Sequence, residues 1–190
     1  MPLTIPNILT LTRIALIPLF VGVFYLPESW LALPTQNTVA TVIFILAAIT
    51  DWVDGYLARS LGQTSAFGAF LDPVADKLMV AAALIVLVQL ARVDAIIAVV
   101  IIGREITISA LREWMARIGQ SASVAVATIG KFKTAAQMIA IPLLLYGASW
   151  GMPLGTVLIY CAAALTLWSM GYYLHRALPL LTRHDDKGGE

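Results

Sequence analysis

DWVDGYLARSLGQTSAFGAFLDPVAD, residues 51–76, is the stretch around which the rest of this chain is organised. It places four aspartates and one arginine between runs of apolar residues. A carboxylate in a membrane helix costs about 2.5 to 3.5 kcal/mol on insertion scales, so four together would cost on the order of 10 kcal/mol. We therefore expect positive charge to lie among them.

The spacing of the four aspartates predicts that they meet. Asp51 and Asp54 are three residues apart and share one face of a helix. Asp72 and Asp76 are four residues apart and share one face of the next helix. Between the pairs, the polar segment 60–65 contains a glycine and is typical of a turn that reverses the chain. Two helix ends can then bring all four carboxylates together.

The side chains of this stretch also indicate which ligand they would hold. The stretch contains no histidine or cysteine, so its donors are hard oxygens, which favour Mg²⁺, Mn²⁺ or Ca²⁺ over Zn²⁺. Mg²⁺ is usually held by a few carboxylates together with phosphate oxygens of a substrate. Gly55 and Gly68 fit a bulky ligand, because a glycine lets it approach the helix backbone. The stretch predicts a divalent-cation site for a phosphorylated substrate.

Composition sets the class of protein. With 190 residues, 60% of them hydrophobic and 12% charged, and a mean hydropathy of +0.88, the chain is predicted to be an integral membrane protein. The net charge of +1 and the lack of a basic amphipathic tract argue against binding of nucleic acid. We expect no cleavable signal peptide. The single cysteine, Cys161, is expected to be a small buried side chain in an apolar run.

Six apolar segments have about the length needed to cross a bilayer. They are residues 8–26, 38–61, 70–90, 95–115, 132–150 and 154–174. With no internal repeat or linker between them, residues 1–190 form one predicted domain, of which 176–190 is a polar cytoplasmic tail. The last part of that tail, 182–190, is expected to be disordered.

The positions of the basic residues predict the orientation. If the N-terminus is cytoplasmic, only Arg92 of the twelve lysines and arginines falls in an outer loop. Both termini and the aspartates at the ends of the second and third segments are therefore predicted to face the cytoplasm. Asp72 followed by Pro73 is typical of a helix N-cap and first helical residue, and predicts that the third helix begins there.

A polar stripe runs along the first segment. Asn7, Thr10 and Arg13 recur every three residues on an otherwise apolar helix. Taken alone, the stripe is explained equally well by an N-cap, a helix-bonded hydroxyl and an arginine that reaches the interface. Beside the aspartates, a role in binding becomes the better interpretation.

The fourth segment carries charges well inside an apolar stretch. Arg112 follows Arg104 by eight residues, about two turns, so both lie on nearly the same face. Lys131, at the start of the fifth segment, can add a third positive charge, and we predict an anion pocket from these three residues. Glu105 is either a packing partner of Arg104 or a catalytic group. Lys77 and Lys133 have no assigned role.

These residues carry a family resemblance. The pattern Asp51-x2-Asp54-Gly55-x2-Ala58-Arg59-x8-Gly68-x3-Asp72-x3-Asp76 resembles, at each fixed position, the signature of the CDP-alcohol phosphatidyltransferases. Three further blocks are similar to the bacterial phosphatidylglycerophosphate synthase branch of that family. They are IPNILTLTRIALIP at 5–18, GREITISALREW at 103–114 and IGKFKTAAQM at 129–138.

The resemblance implies a fold and a reaction. The fold would be an all-α membrane protein with six transmembrane helices, preceded by a short interfacial helix near Pro2 and Pro6, in the inner membrane of a bacterium. The reaction would transfer the phosphatidyl group of CDP-diacylglycerol to glycerol 3-phosphate and release CMP at the cytoplasmic side. It would use two divalent ions, Mg²⁺ or Mn²⁺, in a homodimer.

The resemblance also implies roles for single residues. Asp51, Asp54 and Asp72 would be the main metal ligands, and Asp76 would be the general base and a further ligand. The CDP-lipid would contact Asn7, Thr10, Arg13, Asp54, Gly55, Ala58, Arg59 and Gly68. The phosphate of the acceptor would contact Arg104, Arg112 and Lys131.

Three alternatives stay open. Enzymes that use other acceptors share the core motif, and inositol phosphate is the main rival acceptor within the family. A cation transporter could also hold acidic residues inside its spans, but it would not need the glycine, alanine and arginine positions of the motif. A membrane prenyltransferase also binds pyrophosphate through Mg²⁺, but generally with two separate acidic motifs and more than six helices.

Overall fold

Six α-helices account for the architecture of the computed structural model, which describes residues 5–60, 66–117 and 127–185. The helices are α1 (Ile5–Val23), α2 (Leu33–Ser60), α3 (Ala66–Gln89), α4 (Ala95–Arg117), α5 (Ala127–Tyr146) and α6 (Met152–Asp185). No strand occurs in the described ranges. The predicted all-α class is therefore confirmed for these residues, with one helix for each predicted apolar segment.

The helices pack around one apolar core. Helix α1 packs on α2 and α3, α5 packs on α6 and α2, and α4 packs on α6 and α3. Large side chains such as Phe20, Phe44, Leu84, Leu87 and Ile141 are fully buried at these contacts. Large apolar side chains also cover the outside, among them Trp52, Ile96, Val99 and Trp168. A surface this apolar suits contact with lipid.

Among the described residues, two helical stretches are long and apolar enough to cross a membrane by themselves, Leu33–Tyr56 and Met152–Gly171. Shorter apolar stretches lie at Asn7–Val23 and Phe132–Tyr146. Helix α3 is interrupted by Asp72, Asp76 and Lys77, whose charges lower the hydropathy of any window that contains them. The chain is a membrane protein by these features and by its composition, while the count of six spans stays a prediction.

The predicted start of the third helix is wrong. Helix α3 begins at Ala66, so Asp72 and Pro73 lie inside it rather than at its first turn. A proline inside a helix removes only the hydrogen bond to the carbonyl four residues earlier, and membrane helices tolerate this loss. Asp72 and Asp76 consequently project from consecutive turns of one continuous helix.

An interfacial helix and a disordered tail were predicted for the two ends of the chain. The interfacial helix predicted near Pro2 and Pro6 falls largely on residues 1–4, which lie outside the described residues, and Pro6 lies in the first turn of α1, where proline is well tolerated. Helix α6 continues to Asp185, so the disorder predicted from residue 182 is wrong up to that point. Its 34 residues give a length of about 50 Å, more than the ~30 Å of a bilayer core.

Cys161 is exposed, which corrects the prediction that it is buried. It lies on the face of α6 opposite the buried Ala162 and Ala163 side, and an apolar run in a membrane protein can face lipid as readily as core.

Two polar side chains, Arg92 and Gln36, hold helix ends together on the side away from the aspartates. Arg92, between α3 and α4, donates from Nη1 to the carbonyls of Leu144 (2.9 Å) and Leu145 (2.6 Å) at the end of α5. Gly147 follows with φ of 72°, and a Cβ there would lie 2.8 Å from Cζ of Arg92. Gln36 donates to the carbonyls of Leu26 and Leu31, both at 2.9 Å.

Candidate active site

Arg13 joins the two aspartates of α2. Its guanidinium is 1% exposed and donates from Nη1 to Oδ1 of Asp51 at 2.6 Å and from Nη2 to Oδ2 of Asp54. Asp54 is 3% exposed, whereas the side chain of Asp51 is 43% exposed. The positive charge expected among the carboxylates is thus supplied, at least in part, by α1. A buried carboxylate needs such a hydrogen-bonded partner to stay ionised.

Thr10 joins α1 to α3. Its hydroxyl donates to Oδ1 of Asp72 at 2.5 Å, one turn before Arg13 on the same helix face. Asn7, Thr10 and Arg13 are all buried. The stripe on α1 therefore faces the acidic helices, and the alternative in which Arg13 reaches out to the membrane interface does not hold in this structure.

Asp76 lies at the boundary of two cavities. The first cavity, of about 10 Å³, is lined by Asp76 together with Arg13 and Asp51. The second cavity, of about 50 Å³, is lined by Asp76 and by residues of α3, α4 and α5. These further residues are Lys77, Val80, Glu105, Thr134, Gln137 and Met138. One carboxylate thus faces both the aspartate cluster and a separate polar space.

The aspartate cluster has the chemistry of a divalent-cation site without being a closed cage. The charge of Asp54 interacts with those of Asp51 and Asp72, and the charge of Asp76 interacts with that of Asp51. Within the described ranges, no three such side chains are close enough to count as a formed metal site. Arg13 donates a hydrogen bond to one carboxylate oxygen of Asp51 and to one of Asp54. Four carboxylates against one guanidinium leave an excess of negative charge and free hard oxygens, which fit Mg²⁺ or Mn²⁺.

A second charged cluster lies at the same end of the bundle. Arg104 on α4 is 7% exposed and donates to Oγ of Ser169 on α6 at 3.0 Å. Its other terminal nitrogen lies 3.3 Å from Oε1 of Glu105, which also contacts Nζ of Lys133 on α5. Lys133 is buried. Glu105 is therefore an ion-pair partner of both cations, whether or not it also takes part in chemistry.

An open apolar groove leads away from the first cavity. It has a volume of about 290 Å³ and lies between α2 and α5. Its lining comprises Phe44, Ile45, Ala48, Ile49, Trp52, Met138 and Pro142, of which Phe44, Ala48 and Met138 also line the first cavity. The groove is thus continuous with the cavity that contains Arg13 and Asp51.

The comparison with known families agrees with this geometry. Residues 3–168 match the family model described as CDP-alcohol phosphatidyltransferase, which covers all four aspartates and both charged clusters. The chain belongs to the CDP-alcohol phosphatidyltransferase family.

Curated relatives extend the match over almost the whole length. A protein of Salmonella typhimurium (strain LT2) is 51% identical over 180 residues, 93% of this chain and 96% of the relative. A protein of Pectobacterium atrosepticum is 51% identical over 188 residues, 97% and 98% of the two chains. A protein of Escherichia coli K12 is 50% identical over 180 residues, 93% and 96%. Each is named CDP-diacylglycerol–glycerol-3-phosphate 3-phosphatidyltransferase.

Other positions of the phosphatidyltransferase motif are only partly visible. Gly68 is buried and Gly55 is half-buried, beside the aspartates of their own helices. The side chains of Ala58, Arg59, Arg112 and Lys131 lie outside the described residues, although their positions fall within α2, α4 and α5. The structure therefore brings together the aspartates with Thr10 and Arg13, and places Arg104 at the second cluster.

Sequence reasoning missed two polar residues at this end of the phosphatidyltransferase. Ser169 accepts from Arg104 and donates to the carbonyl of Thr166 at 2.9 Å. Gln137 lines the second cavity and is buried. Gln137 lies one turn after Lys133 on α5, so the helical period placed it beside a charged residue, which is a usable signal. Ser169 lies alone in an apolar run, so no sequence pattern predicted its contact with Arg104.

Proposed function

We propose that the chain transfers the phosphatidyl group of CDP-diacylglycerol to glycerol 3-phosphate, forming phosphatidylglycerophosphate and CMP. The observation that carries this proposal is the position of Asp76, which lines both the cavity of the aspartate cluster and the second cavity. A transfer enzyme must hold the acceptor hydroxyl within reach of its base and close to the reacting phosphorus of the donor. The names of the relatives that are about half identical over nearly full length support this donor and this acceptor.

Asp51, Asp54 and Asp72, with a contribution from Asp76, would hold two divalent cations, Mg²⁺ or Mn²⁺. Bound cations neutralise the pyrophosphate of the donor and stabilise the negative charge of departing CMP. Arg13 orients Asp51 and Asp54 through its two hydrogen bonds. Thr10 orients Asp72 in the same way from the next turn of α1.

Asp76 is the proposed general base. The acceptor hydroxyl oxygen attacks the β-phosphorus of CDP-diacylglycerol, and its proton passes to the carboxylate of Asp76. The bond from the β-phosphorus to the bridging oxygen breaks, and CMP leaves with that electron pair. The products are a phosphodiester, CMP and protonated Asp76, which returns its proton to solvent. Proton transfer by a positioned side chain contributes typically 10²- to 10⁴-fold to the rate.

The anionic end of the acceptor needs positive charge. Arg104, Arg112 and Lys131 would bind the phosphate of glycerol 3-phosphate, since a neutral alcohol would need no such set. Arg104 is buried near the middle of α4 and is followed directly by Glu105, which lines the second cavity. Inositol phosphate would need the same charges, but a cavity of about 50 Å³ favours the smaller polyol.

The donor would bind with its polar head at the aspartate cluster and its acyl tails in an apolar region. Asn7, with Gly55, Ala58, Arg59 and Gly68, would lie against the cytidine and its phosphates. The diacyl tails would occupy the apolar groove between α2 and α5, which continues from the first cavity. We place the site at the cytoplasmic face of a bacterial inner membrane, in a multi-pass protein that forms a homodimer.

A transfer assay tests the proposal. Purified protein in detergent would receive CDP-diacylglycerol, Mg²⁺ or Mn²⁺, and labelled glycerol 3-phosphate, with label in the lipid phase and CMP release as the two readouts. Inositol phosphate, serine and phosphatidylglycerol would run beside it as acceptors. We expect transfer to glycerol 3-phosphate alone. Transfer only to another acceptor would overturn the acceptor assignment, and absence of CMP release with every acceptor would overturn the reaction. Cation flux in liposomes would then point to a transporter.

A further inference from the structure

We propose that Gln137 binds the middle hydroxyl of glycerol 3-phosphate, the one that does not react, and so makes the site selective for a phosphate that carries a vicinal diol. This inference rests on the proposed function and adds to it a residue that determines specificity. It comes from the environment of one buried amide.

Gln137 is a buried amide beside the second cavity. Its side chain is 5% exposed and lies against the second cavity. Among the residues that the structure describes, none forms a hydrogen bond with it. Gln36, which is equally buried, donates to two carbonyls at 2.9 Å. Because buried polar groups are normally hydrogen-bonded, an amide that lines a cavity is available to a ligand that binds there.

The acidic residues that line the second cavity already have a proposed role or an ion-pair partner. Asp76 on α3 faces the space as the base, and Glu105 on α4 is held by Lys133. Lys133 is one turn before Gln137 on α5, and its charge is directed to Glu105. Thr134 and Gln137 are the neutral residues of this wall that can both donate and accept a hydrogen bond. Thr134 already makes another interaction, which leaves the amide of Gln137 as the better candidate. A hydroxyl group also does both, so the two are complementary.

The chemistry of the acceptor selects which hydroxyl this is. In glycerol 3-phosphate the reacting hydroxyl must point to Asp76, and the phosphate must point to the cationic residues of α4 and α5. The middle hydroxyl is the remaining polar group, between these two ends. The cavity of about 50 Å³ has room for about three to five water molecules, which is the scale of a short polyol. Gln137 lines this same space.

A substrate lacking one hydroxyl tests the assignment. 3-Hydroxypropyl phosphate keeps the phosphate and the reacting hydroxyl of glycerol 3-phosphate but lacks the middle hydroxyl. The wild-type protein should use glycerol 3-phosphate with a kcat/KM about ten- to a hundredfold higher, as CMP release, because the analogue leaves the amide unpaired. Gln137→Met, which keeps the length of the side chain, should reduce this ratio to below about threefold. It should raise the KM for glycerol 3-phosphate and leave the KM for CDP-diacylglycerol unchanged.

Gln89→Met is the matched control, because Gln89 is exposed at the opposite end of α3. This control should keep the wild-type ratio. Gln137→Glu is the second variant, since a carboxylate accepts but does not donate, and it should also lose the discrimination.

The outcomes separate cleanly. A wild-type ratio near one, or an unchanged ratio in a folded Gln137 variant, would overturn the proposal. Loss of folded protein in both variants would assign Gln137 to the scaffold and overturn it as well. If the wild type releases no CMP with glycerol 3-phosphate, the proposed function fails first, whatever the variants do.

Discussion

Arg13 and Asp54 form a buried ion pair in the interior of the bundle, with side chains that are 1% and 3% exposed. The pair links α1 to α2 at the point where the aspartate cluster begins. Removing one partner of a buried pair leaves the other charge poorly solvated and without compensation. Stability and activity are therefore coupled at this contact.

Replacement of Arg13 tests that coupling. Arg13→Met should lower the free energy of unfolding by about 3 to 5 kcal/mol, because it leaves Asp54 buried without its partner. The double variant Arg13→Met with Asp54→Asn should regain part of that loss, since neither charge then remains. Thermal unfolding in detergent measures both. Equal stability of the wild type and Arg13→Met would contradict the pairing.

Asp76→Asn should lower kcat by about 10²- to 10⁴-fold, because an amide cannot accept the proton of the acceptor hydroxyl. Binding of CDP-diacylglycerol should change little, as Arg13, Thr10 and the other aspartates remain. The matched control is Asp94→Asn in the connection between α3 and α4. Asp94 accepts from the backbone nitrogen of Ile96 at 2.8 Å, and asparagine caps a helix equally well. A kcat for Asp76→Asn within threefold of the control would remove Asp76 from the mechanism.

The two partners of Glu105 predict an unequal response to mutation. Glu105→Gln should destabilise the protein more than Lys133→Met. The first change removes the charge that both Lys133 and Arg104 contact, whereas the second leaves Glu105 with Arg104 and with partial exposure. We expect a difference of about 1 to 3 kcal/mol in the free energy of unfolding. The reverse order would contradict this prediction and would indicate that Lys133 contributes more to stability than its contact with Glu105 explains.

Removal of divalent cations should abolish CMP release but leave the bundle folded. Arg13 already compensates part of the charge on Asp51 and Asp54, so the helices do not depend on metal for their packing. Chelation should therefore shift the Tm less than Arg13→Met does, and Mg²⁺ or Mn²⁺ should restore turnover. Full activity after exhaustive chelation would argue against the metal site.

The polar contacts on the opposite side should matter for stability alone. Burial lowers the pKa of the Arg92 guanidinium, but arginine starts so far above neutrality that it stays charged. Arg92→Met should cost about 1 to 3 kcal/mol, because it leaves the last carbonyls of α5 unsatisfied. The kcat/KM of the folded fraction should stay at the wild-type value, and a specific loss of acceptor affinity would show that the two ends are coupled.

Local periodicity explains why much of this site could be predicted from the sequence. Residues three or four apart share a helix face whatever the tertiary structure, so the pairing of Asp51 with Asp54 and the stripe through Thr10 and Arg13 needed no coordinates. Tertiary packing decided the rest. The partner of Arg13 depends on which helix lies across from α1, and the same holds for Ser169 with Arg104.

The predictions that were wrong or incomplete also have physical causes, because the surroundings of a residue in the folded protein decided the outcome. Asp72 followed by Pro73 has the residue types of a helix start, but residues 66–71 are apolar or small enough to continue the helix upstream. Cys161 lies in an apolar run, and in a membrane protein such a run does not distinguish lipid from core. Gln137 was passed over although it lies one turn after Lys133, because the cavity beside its amide is visible only in the structure.

Asp76 lines the first cavity, which the apolar groove joins, and also the second cavity, which has charged and polar residues in its wall. The donor of the proposed reaction is a lipid and the acceptor is water-soluble, so the two can bind through different openings, one apolar and one polar. The order in which they arrive is then free, and initial-rate plots should intersect rather than run parallel. The lipid product can leave sideways into the bilayer while CMP returns to the aqueous side, so neither product has to dissociate before the other.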